Sequence, residues 1–316
     1  MIKKKVLILG ASGQIGKHLI RKLTKNNYKA ICQTRNAHKS VFLKTSGQLG
    51  YIDILELNIF DSKKLEQAIS SADICINLIG ILFEKGKINT FRNIHTKLPE
   101  IISSICEKYK VQFIHFSALG IEKAKDSEYA RSKINGENKI LENNNEAVII
   151  KPSIVFSVSD SFTTKFLSYL SYLPFFPLYY GGKTKFMPIH ASDVADLIYY
   201  VVSENIKSKK IEALGPETIT FKEMLSIMLK CINKKKLLIP MPLSLAKISA
   251  SFLQLMPNPI LTIDQLKLLK YDNIKSDGAF TNTDAGLPGK IKFEEGIMRY
   301  SYNWREGGQY NFKKIN

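Results

Sequence analysis

The sequence predicts an α/β chain built on a doubly wound parallel sheet. Three observations carry this. Lys5 to Leu9 is an apolar run of strand length that closes on Gly10, Gly13 and Gly16. An amphipathic stretch follows, with Ile15, Leu19, Ile20 and Leu23 on one face. The same alternation of short apolar run and longer amphipathic segment then recurs down the chain. Strands buried on both faces read as continuous apolar runs, and strands that alternate with helices pair in parallel.

The opening strand, turn and helix carry a chemistry of their own. One glycine permits a tight turn, a second lets backbone N–H groups approach a pyrophosphate, and a third lets the helix from Gln14 pack on the sheet. A pyrophosphate would then sit at the positive end of that helix. A glycine triplet alone is a weak sign, because loops use glycine freely. Here the flanking strand, the helix and a second strand at Ala30 to Gln33 supply the context the motif needs. An unliganded turn is the plainer alternative. The cradle would comprise Gly10, Ser12, Gly13, Gln14, Ile15 and Gly16, with Asn58, Ile59, Leu78, Ile79, Gly80 and Pro152 near the ends of later strands. An acidic residue past the second strand would hold a ribose 2′-hydroxyl, whereas arginine suits a 2′-phosphate. This chain offers Gln33, Thr34 and Arg35 there, with His38 and Lys39 behind and no carboxylate, so NADP(H) is favoured over NAD(H). A merely solvated Arg35 is the competing reading.

The remaining elements follow in order. Tyr51 to Leu57 is a third strand and Asp61 to Ser71 a helix opened by its aspartate. Ala72 to Gly80 is a fourth strand, Phe91 to Lys108 a helix, Val111 to Ser117 a fifth strand and Asp126 to Asn143 another helix. Ala147 to Phe156 is a long buried strand whose ladder must end or bulge at Pro152. The stretch 157–184 lacks the rhythm. Met187 to Val202 restores a helix, capped at Ser192 or Asp193, and Ile211 to Ala213 is the last strand. From Thr218 onward the pattern is helical only, at Phe221 to Ile232, Ser244 to Leu255, Thr262 to Lys270 and, more weakly, Phe293 to Tyr302, punctuated by Pro240, Pro242, Pro257 and Pro259. The expected organisation is a Rossmann-type NAD(P)-binding domain over 1–156, completed by 187–215, with a smaller, mainly helical C-terminal region over 157–186 and 216–316.

Length and charge bound the partners. The 316 residues give room for one large domain and a smaller one. A net charge of +18, from 46 Lys and Arg against 28 Asp and Glu, predicts attraction to something anionic. Basic residues cluster at Lys3 to Lys5, Lys207 to Lys210, Lys234 to Lys236 and Lys313 with Lys314. No nucleic-acid-binding motif accompanies them, so no nucleic acid is expected, and an anionic membrane surface or an acidic protein partner ranks higher. A solvated basic surface is the plain alternative. Cys32, Cys75, Cys106 and Cys231 are widely spaced in apolar segments, as small core residues of a reducing compartment are, and neither metal site nor disulfide framework is expected. Strand residues begin by Val6, leaving no room for a signal peptide, and no apolar run reaches the ~18 residues of a membrane span. Phe166 to Tyr180, aromatic and broken by Pro174 and Pro177, suits a pocket wall or an interfacial surface. The expected location is the cytoplasm or, peripherally, the inner membrane face.

Tyr129 and Lys133 lie four residues apart and share a helix face. The ammonium would favour the phenolate and hydrogen-bond a nicotinamide ribose, leaving Tyr129 as general acid in carbonyl reduction or general base in alcohol oxidation. The spacing alone proves nothing, since Tyr179/Lys183, Tyr271/Lys275 and Tyr310/Lys314 repeat it; only Tyr129 follows the fifth strand of a glycine-fingerprinted sheet. His190 and Asp193 could touch a substrate, although capping and ordinary packing explain them as well. His115 reads as a core residue, Glu84 and Lys85 as solvated, and Trp304 as a packing or partner contact.

GASGQIG at Gly10 to Gly16 with YARSK at Tyr129 to Lys133 resembles the short-chain dehydrogenase/reductase superfamily. INLIGILFEKG (76–86), HFSALG (115–120), GGKTKFMPIHASDVA (181–195) and PNPILTIDQLKLLKYDN (257–273) narrow the resemblance. They are similar to the atypical branch that holds the NADPH-binding accessory subunit of respiratory complex I, of the alpha-subcomplex subunit nine type, and its bacterial relatives. The resemblance implies a Ser or Thr after the fifth strand that orients the carbonyl together with Tyr129 and Lys133. Ser117 stands near that position, with Ala118 or Leu119 as alternatives. It implies equally that the complex I subunit holds NADPH as a structural element near the membrane arm without turning it over. Two functions follow. The preferred one is an NADP(H)-holding accessory or assembly-linked component of complex I (NADH:ubiquinone oxidoreductase). The other is an active NAD(P)-dependent reductase or epimerase on an apolar, quinone-like carbonyl compound. A redox-sensing module that only reads NADPH is a third.

Overall fold

The computed structural model describes residues 3–310 except 159, 257, 258 and 260. Lys313, Lys314 and Pro257 thus lie outside the described residues. The first half of the chain runs through β1 (Lys5–Leu9), α1 (Gln14–Lys25), β2 (Lys29–Thr34), β3 (Ile52–Glu56), α2 (Ser62–Ser70), β4 (Ile74–Asn77), α3 (Leu98–Lys108), β5 (Gln112–Phe116), α4 (Glu128–Asn143) and β6 (Val148–Pro152). It leaves the sheet through β7 (Val155–Phe156), α5 (Ser161–Tyr172), β8 (Phe175–Leu178), β9 (Lys185–Phe186) and β10 (Ile189–His190), then returns through α6 (Ala191–Ser203) and β11 (Lys209–Ala213). The last part holds β12 (Ile219–Thr220), α7 (Phe221–Cys231), β13 (Leu237–Pro240), α8 (Leu243–Leu253), α9 (Ile263–Leu268) and α10 (Phe293–Met298).

Seven strands pair in parallel in the order β11, β6, β5, β4, β1, β2, β3. This is the Rossmann-type sheet the sequence predicts. Chain progression reverses between β1 and β4, and such a reversal opens a crevice at the carboxyl ends of the strands. The pleat assigns the faces. Val6 and Ile8 point into the layer with Leu19 and Leu23 of α1 and Val194 and Ile198 of α6. Leu7 and Leu9 point the other way, to Ile69, Ile102, Cys106 and Ile140 on α2, α3 and α4. A fully buried Leu, Ile or Phe contributes roughly 1.5–3 kcal/mol, so these two layers hold the strand ends in place. A further apolar cluster, with Phe156, Phe221, Met224, Phe293 and Tyr300, forms the core of the C-terminal part.

Pro152 ends β6 as expected, and the chain bends at Ser153 and Ile154 before β7 pairs with β10. The C-terminal part is not helical only. β12 pairs antiparallel with β9, and β13 pairs parallel with β8. Each pair joins segments far apart in sequence, and runs this short carry no readable periodicity. The helix α6 is capped by neither Ser192 nor Asp193: His190 Nδ1 accepts from the Ser192 amide at 3.2 Å, while Asp193 accepts from the amides of Lys290 and Ile291 at 2.9 and 3.3 Å. A π-helical turn over Arg92–Lys97 leads into α3. All four cysteines are free and buried. No helix among the described residues is long and apolar enough to cross a membrane.

Candidate functional site

The turn between β1 and α1 lies in the crevice. Gly10 adopts φ +78°, and a Cβ on Gly16 would stand 2.2 Å from the Ala11 carbonyl oxygen, so only glycine lets α1 come this close. Gly13 caps α1 in extended conformation without a side-chain acceptor, and the first turn holds no acidic residue. The amides of Gln14, Ile15 and Gly16 therefore meet no acceptor among the described residues. Ser12 and Gly13 are exposed beside them. Two buried side-chain atoms at the same edge, Gln14 Nε2 and Thr34 Oγ1, also lack a partner among the described residues. Buried orphans of this kind are uncommon, and a bound anion or ribose is what would satisfy them.

Gln33 is not part of that cradle's open surface. It is buried, its Oε1 accepting from the Gly10 amide at 3.0 Å and its Nε2 donating to the Leu57 carbonyl at 2.7 Å, so it stitches three strand ends together. Arg35 is exposed just past β2 and makes no ion pair or hydrogen bond with the described residues. The nearest acid in register, Glu56 opposite Thr34, is occupied by the Ala37 amide at 2.8 Å. Asn58 is exposed and closes its own turn, accepting from the Phe60 amide at 3.1 Å, while Ile59 packs half-buried against the core beneath. Leu78 donates its amide to Leu9 at 3.0 Å, and Ile79 donates to Asn77 Oδ1 at 3.1 Å. Gly80 is open: a Cβ there would lie 3.6 Å from Lys133 Nζ and 3.8 Å from His95 Nε2. Pro152 accepts from the Leu119 amide at 3.0 Å at the far side.

α4 carries the other half of the site, and its N-terminus is satisfied throughout. Ser127 Oγ accepts from the Ala130 amide at 3.2 Å and donates to Asp264 Oδ2 at 2.8 Å. Asp264 also accepts from the amides of Glu128 and Tyr129 at 2.7 and 3.0 Å. All three leading N–H groups thus have acceptors, which leaves this helix end no anion to attract, unlike α1. Lys133 is buried and its Nζ donates to the Phe116 carbonyl at 2.9 Å. Desolvation pushes its pKa down to about 8, with Glu137 opposing. The half-buried Tyr129 ring stands edge-on to Phe91 and His95, with centroids 5.9 and 5.2 Å away. Burial pushes its phenol up to about 12.

These facts correct two expectations. Lys133 does not lower the Tyr129 pKa: no hydrogen bond joins them, and desolvation dominates both groups. Ser117 does not present its hydroxyl as expected for orienting a carbonyl. It donates to Glu137 Oε1, a buried carboxylate that lies 3.2 Å from Lys210 and 3.7 Å from Lys151. Ala118, which has no hydroxyl, shares with Tyr129 the small apolar cluster of Ile121, Ala124 and Ala130.

Four residues here escape a sequence reading. His95 is buried, its Nε2 accepting from the Ile81 amide at 3.1 Å. Its Nδ1 faces Ser132 Oγ at 3.0 Å, and that hydroxyl donates to the Tyr129 carbonyl at 2.7 Å, which puts the ring proton on Nδ1. Desolvation, then Lys133 and His115, hold His95 down to about 2, so the ring stays neutral. Gly136 lets α4 meet the π-turn, since a Cβ there would lie 1.9 Å from the His95 carbonyl oxygen. A glycine inside a helix is the one signal that could have revealed it. Asp264 and Asn273 belong to the PNPILTIDQLKLLKYDN segment; Asn273 donates to the Leu119 carbonyl at 2.6 Å and accepts from Ser153 Oγ at 2.6 Å. Of the weaker candidates, His115 is a buried core residue bonded to Asn77, Glu84 accepts from the Phe91 amide, and Trp304 donates to Ser168.

Comparisons with known proteins agree with this geometry. The family model for the NAD dependent epimerase/dehydratase family matches residues 6–215. The chain is 27% identical over 316 residues to NADH dehydrogenase [ubiquinone] 1 alpha subcomplex subunit 9 of Arabidopsis thaliana, covering 95% of this chain and 78% of that protein. It is 28% identical to the protein of the same name from Dictyostelium discoideum, over 96% of this chain and 86% of that one. These relatives match the complex I branch that the sequence motifs resemble. A Bordetella bronchiseptica enzyme solved in complex with NAD superposes with a TM-score of 0.67 at 13% identity, over 99% of this chain and 96% of that one, which bears on fold alone. A glycine-turned crevice with open amides, a matched domain model and an unbroken parallel sheet converge on a nicotinamide dinucleotide site, and the chain belongs to the NAD dependent epimerase/dehydratase family.

Proposed function

We propose that this chain holds NADP(H) as an accessory or assembly-linked component of respiratory complex I, peripheral at the inner membrane face. One contrast carries the reading. α1 offers open amides and the orphaned Gln14 Nε2 and Thr34 Oγ1 to an anion, while on the other side Ser117 is bonded to Glu137 rather than free to orient a carbonyl. Arg35, unpaired among the described residues, would take the 2′-phosphate, and the Gln14 to Gly16 amides the pyrophosphate. Lys133, below Gly80, would meet the nicotinamide ribose. Relatives named as complex I subunits support the association. In this role the nucleotide stabilises the fold, by about 2.7 kcal/mol at a hundredfold excess over its Kd.

A second reading is an active reductase or epimerase on an apolar carbonyl compound, favoured by the presence of Tyr129 and Lys133 on one face of α4. A bound nicotinamide would supply hydride transfer there. Tyr129 would then give or take the proton at the substrate oxygen, and its high pKa suits an acid better than a base. Calorimetric titration of the purified chain decides the nucleotide. NADPH is expected to bind at least tenfold tighter than NADH, and Arg35→Ala to erase the difference. Absence of affinity for both overturns the proposal. Tyr129→Phe separates the two roles: a variant that keeps nucleotide and complements a deletion strain is an accessory protein, whereas one that keeps nucleotide and fails to complement is an enzyme.

A further inference from the structure

We propose that α8 and the paired strands β8 and β13 form a docking face for an anionic lipid bilayer. α8 packs inward through buried Ala246 and Ala250, with Tyr179 and Leu266 against it. The opposite side carries Leu245, Ile248 and Phe252, spaced three and four apart and 55%, 55% and 71% exposed. The preceding strand does likewise. Leu237 and Ile239 alternate outward on β13, and Phe175 stands opposite Leu237 in register on β8. Soluble proteins seldom leave apolar surface in this concentration without a partner for it.

Charge selects the partner. No Asp or Glu occurs between Glu223 and Asp264, nor between Asp160 and Asp193, and these two stretches contribute α8, β13, α5 and β8. Lysines occur throughout them, Lys165, Lys183 and Lys185 in the one and Lys230, Lys234, Lys235, Lys236 and Lys247 in the other. The run Lys234 to Lys236 lines a depression directly before β13 together with Arg305 and Glu306, four cations to one carboxylate. A second copy of the chain would bring lysine against lysine across a twofold axis. The cores of protein interfaces are depleted in lysine. A bilayer with acidic headgroups takes both features at once, because apolar side chains sink into the acyl boundary while lysine stems reach up to the phosphates.

This inference rests on the peripheral placement proposed above but not on the nucleotide, so its failure and the failure of the nucleotide reading are distinguishable. The test is flotation of the full chain with phosphatidylcholine vesicles, alone or mixed with phosphatidylglycerol. Binding is expected to the mixed vesicles only and to weaken in high salt. Lys235→Ala and Lys236→Ala should each lower partitioning about fivefold, as a basic residue near an anionic leaflet contributes about 1 kcal/mol. Ile248→Asp with Phe252→Asp should abolish it, with NADPH affinity retained as the check on folding. Absence of binding to acidic vesicles overturns the proposal, as does binding that these variants leave unchanged. A shift in oligomeric state with no vesicle binding assigns the face to self-association instead. If vesicles bind but NADPH does not, the nucleotide reading fails and this one holds.

Discussion

Replacing Asp264 by alanine removes the acceptor of three hydrogen bonds at once. The Glu128 and Tyr129 amides lose partners at 2.7 and 3.0 Å, and the Ser127 hydroxyl loses one at 2.8 Å. Loss of a helix cap costs about 0.5–2 kcal/mol, and loss of a carboxylate beside a helix N-terminus adds about 0.3–1 kcal/mol. Asp264 is half-buried, so water replaces it incompletely, and Asp264→Ala is expected to lose about 2 kcal/mol. Asp264→Asn keeps one oxygen but no charge and should lose about half of that. Urea denaturation at constant m-value measures both. Because Ser127 Oγ both caps Ala130 and donates to Asp264, Ser127→Ala combined with Asp264→Ala should depart from additivity by at least ~0.5 kcal/mol. An Asp264→Ala variant as stable as its parent, or a strictly additive double variant, refutes the account of α4.

Gly136→Ala forces a methyl against the His95 carbonyl and should cost about 1–3 kcal/mol, visible as a lower Tm. Thr34→Val removes a buried hydroxyl without a partner, so the free protein should hold or gain stability while NADPH affinity falls; parallel losses in both would contradict its role in the cradle. Lys133→Met should stabilise the free protein at neutral pH. Burial holds the folded pKa near about 8 against the ordinary 10.5, so between those values the unfolded chain binds more protons and parental stability rises with pH. The variant's advantage, on the order of 3 kcal/mol at pH 7, should vanish as pH passes the ordinary lysine value. Equilibrium unfolding across that range checks it, and a variant less stable at pH 7 contradicts it.

The nucleotide half of the molecule was legible because its signals are local. Lys5 to Leu9, the glycines and Asp61 each act within a few residues, and each stands where the sequence placed it: Asp61 accepts from the Lys64 amide at 3.2 Å. The half around Tyr129 was not, because its determinants cross the chain. Asp264 reaches Tyr129 over 135 residues, and Asn273 reaches Leu119 over 154. The sign of the Tyr129 shift went wrong for the same reason: spacing shows that an ammonium is near, but only packing shows that burial of the phenol and of Lys133 dominates both shifts. His190 was singled out while its capping role passed to its neighbours, since imidazole is a rare cap. β13 could not be seen without β8.

The dependence of α4 on Asp264 sets an order of events during synthesis. The ribosome releases the glycine turn, the sheet and α4 long before residue 264, so a nascent chain carries that helix with the Glu128 and Tyr129 amides bare and the Leu119 carbonyl without its Asn273 donor. The nucleotide-binding half can condense early through its own local contacts, but its tyrosine edge matures only when the C-terminal segment folds back over it. A chain cut short before Asp264 should therefore retain a sheet and a glycine-turned crevice yet leave the Tyr129 edge unformed.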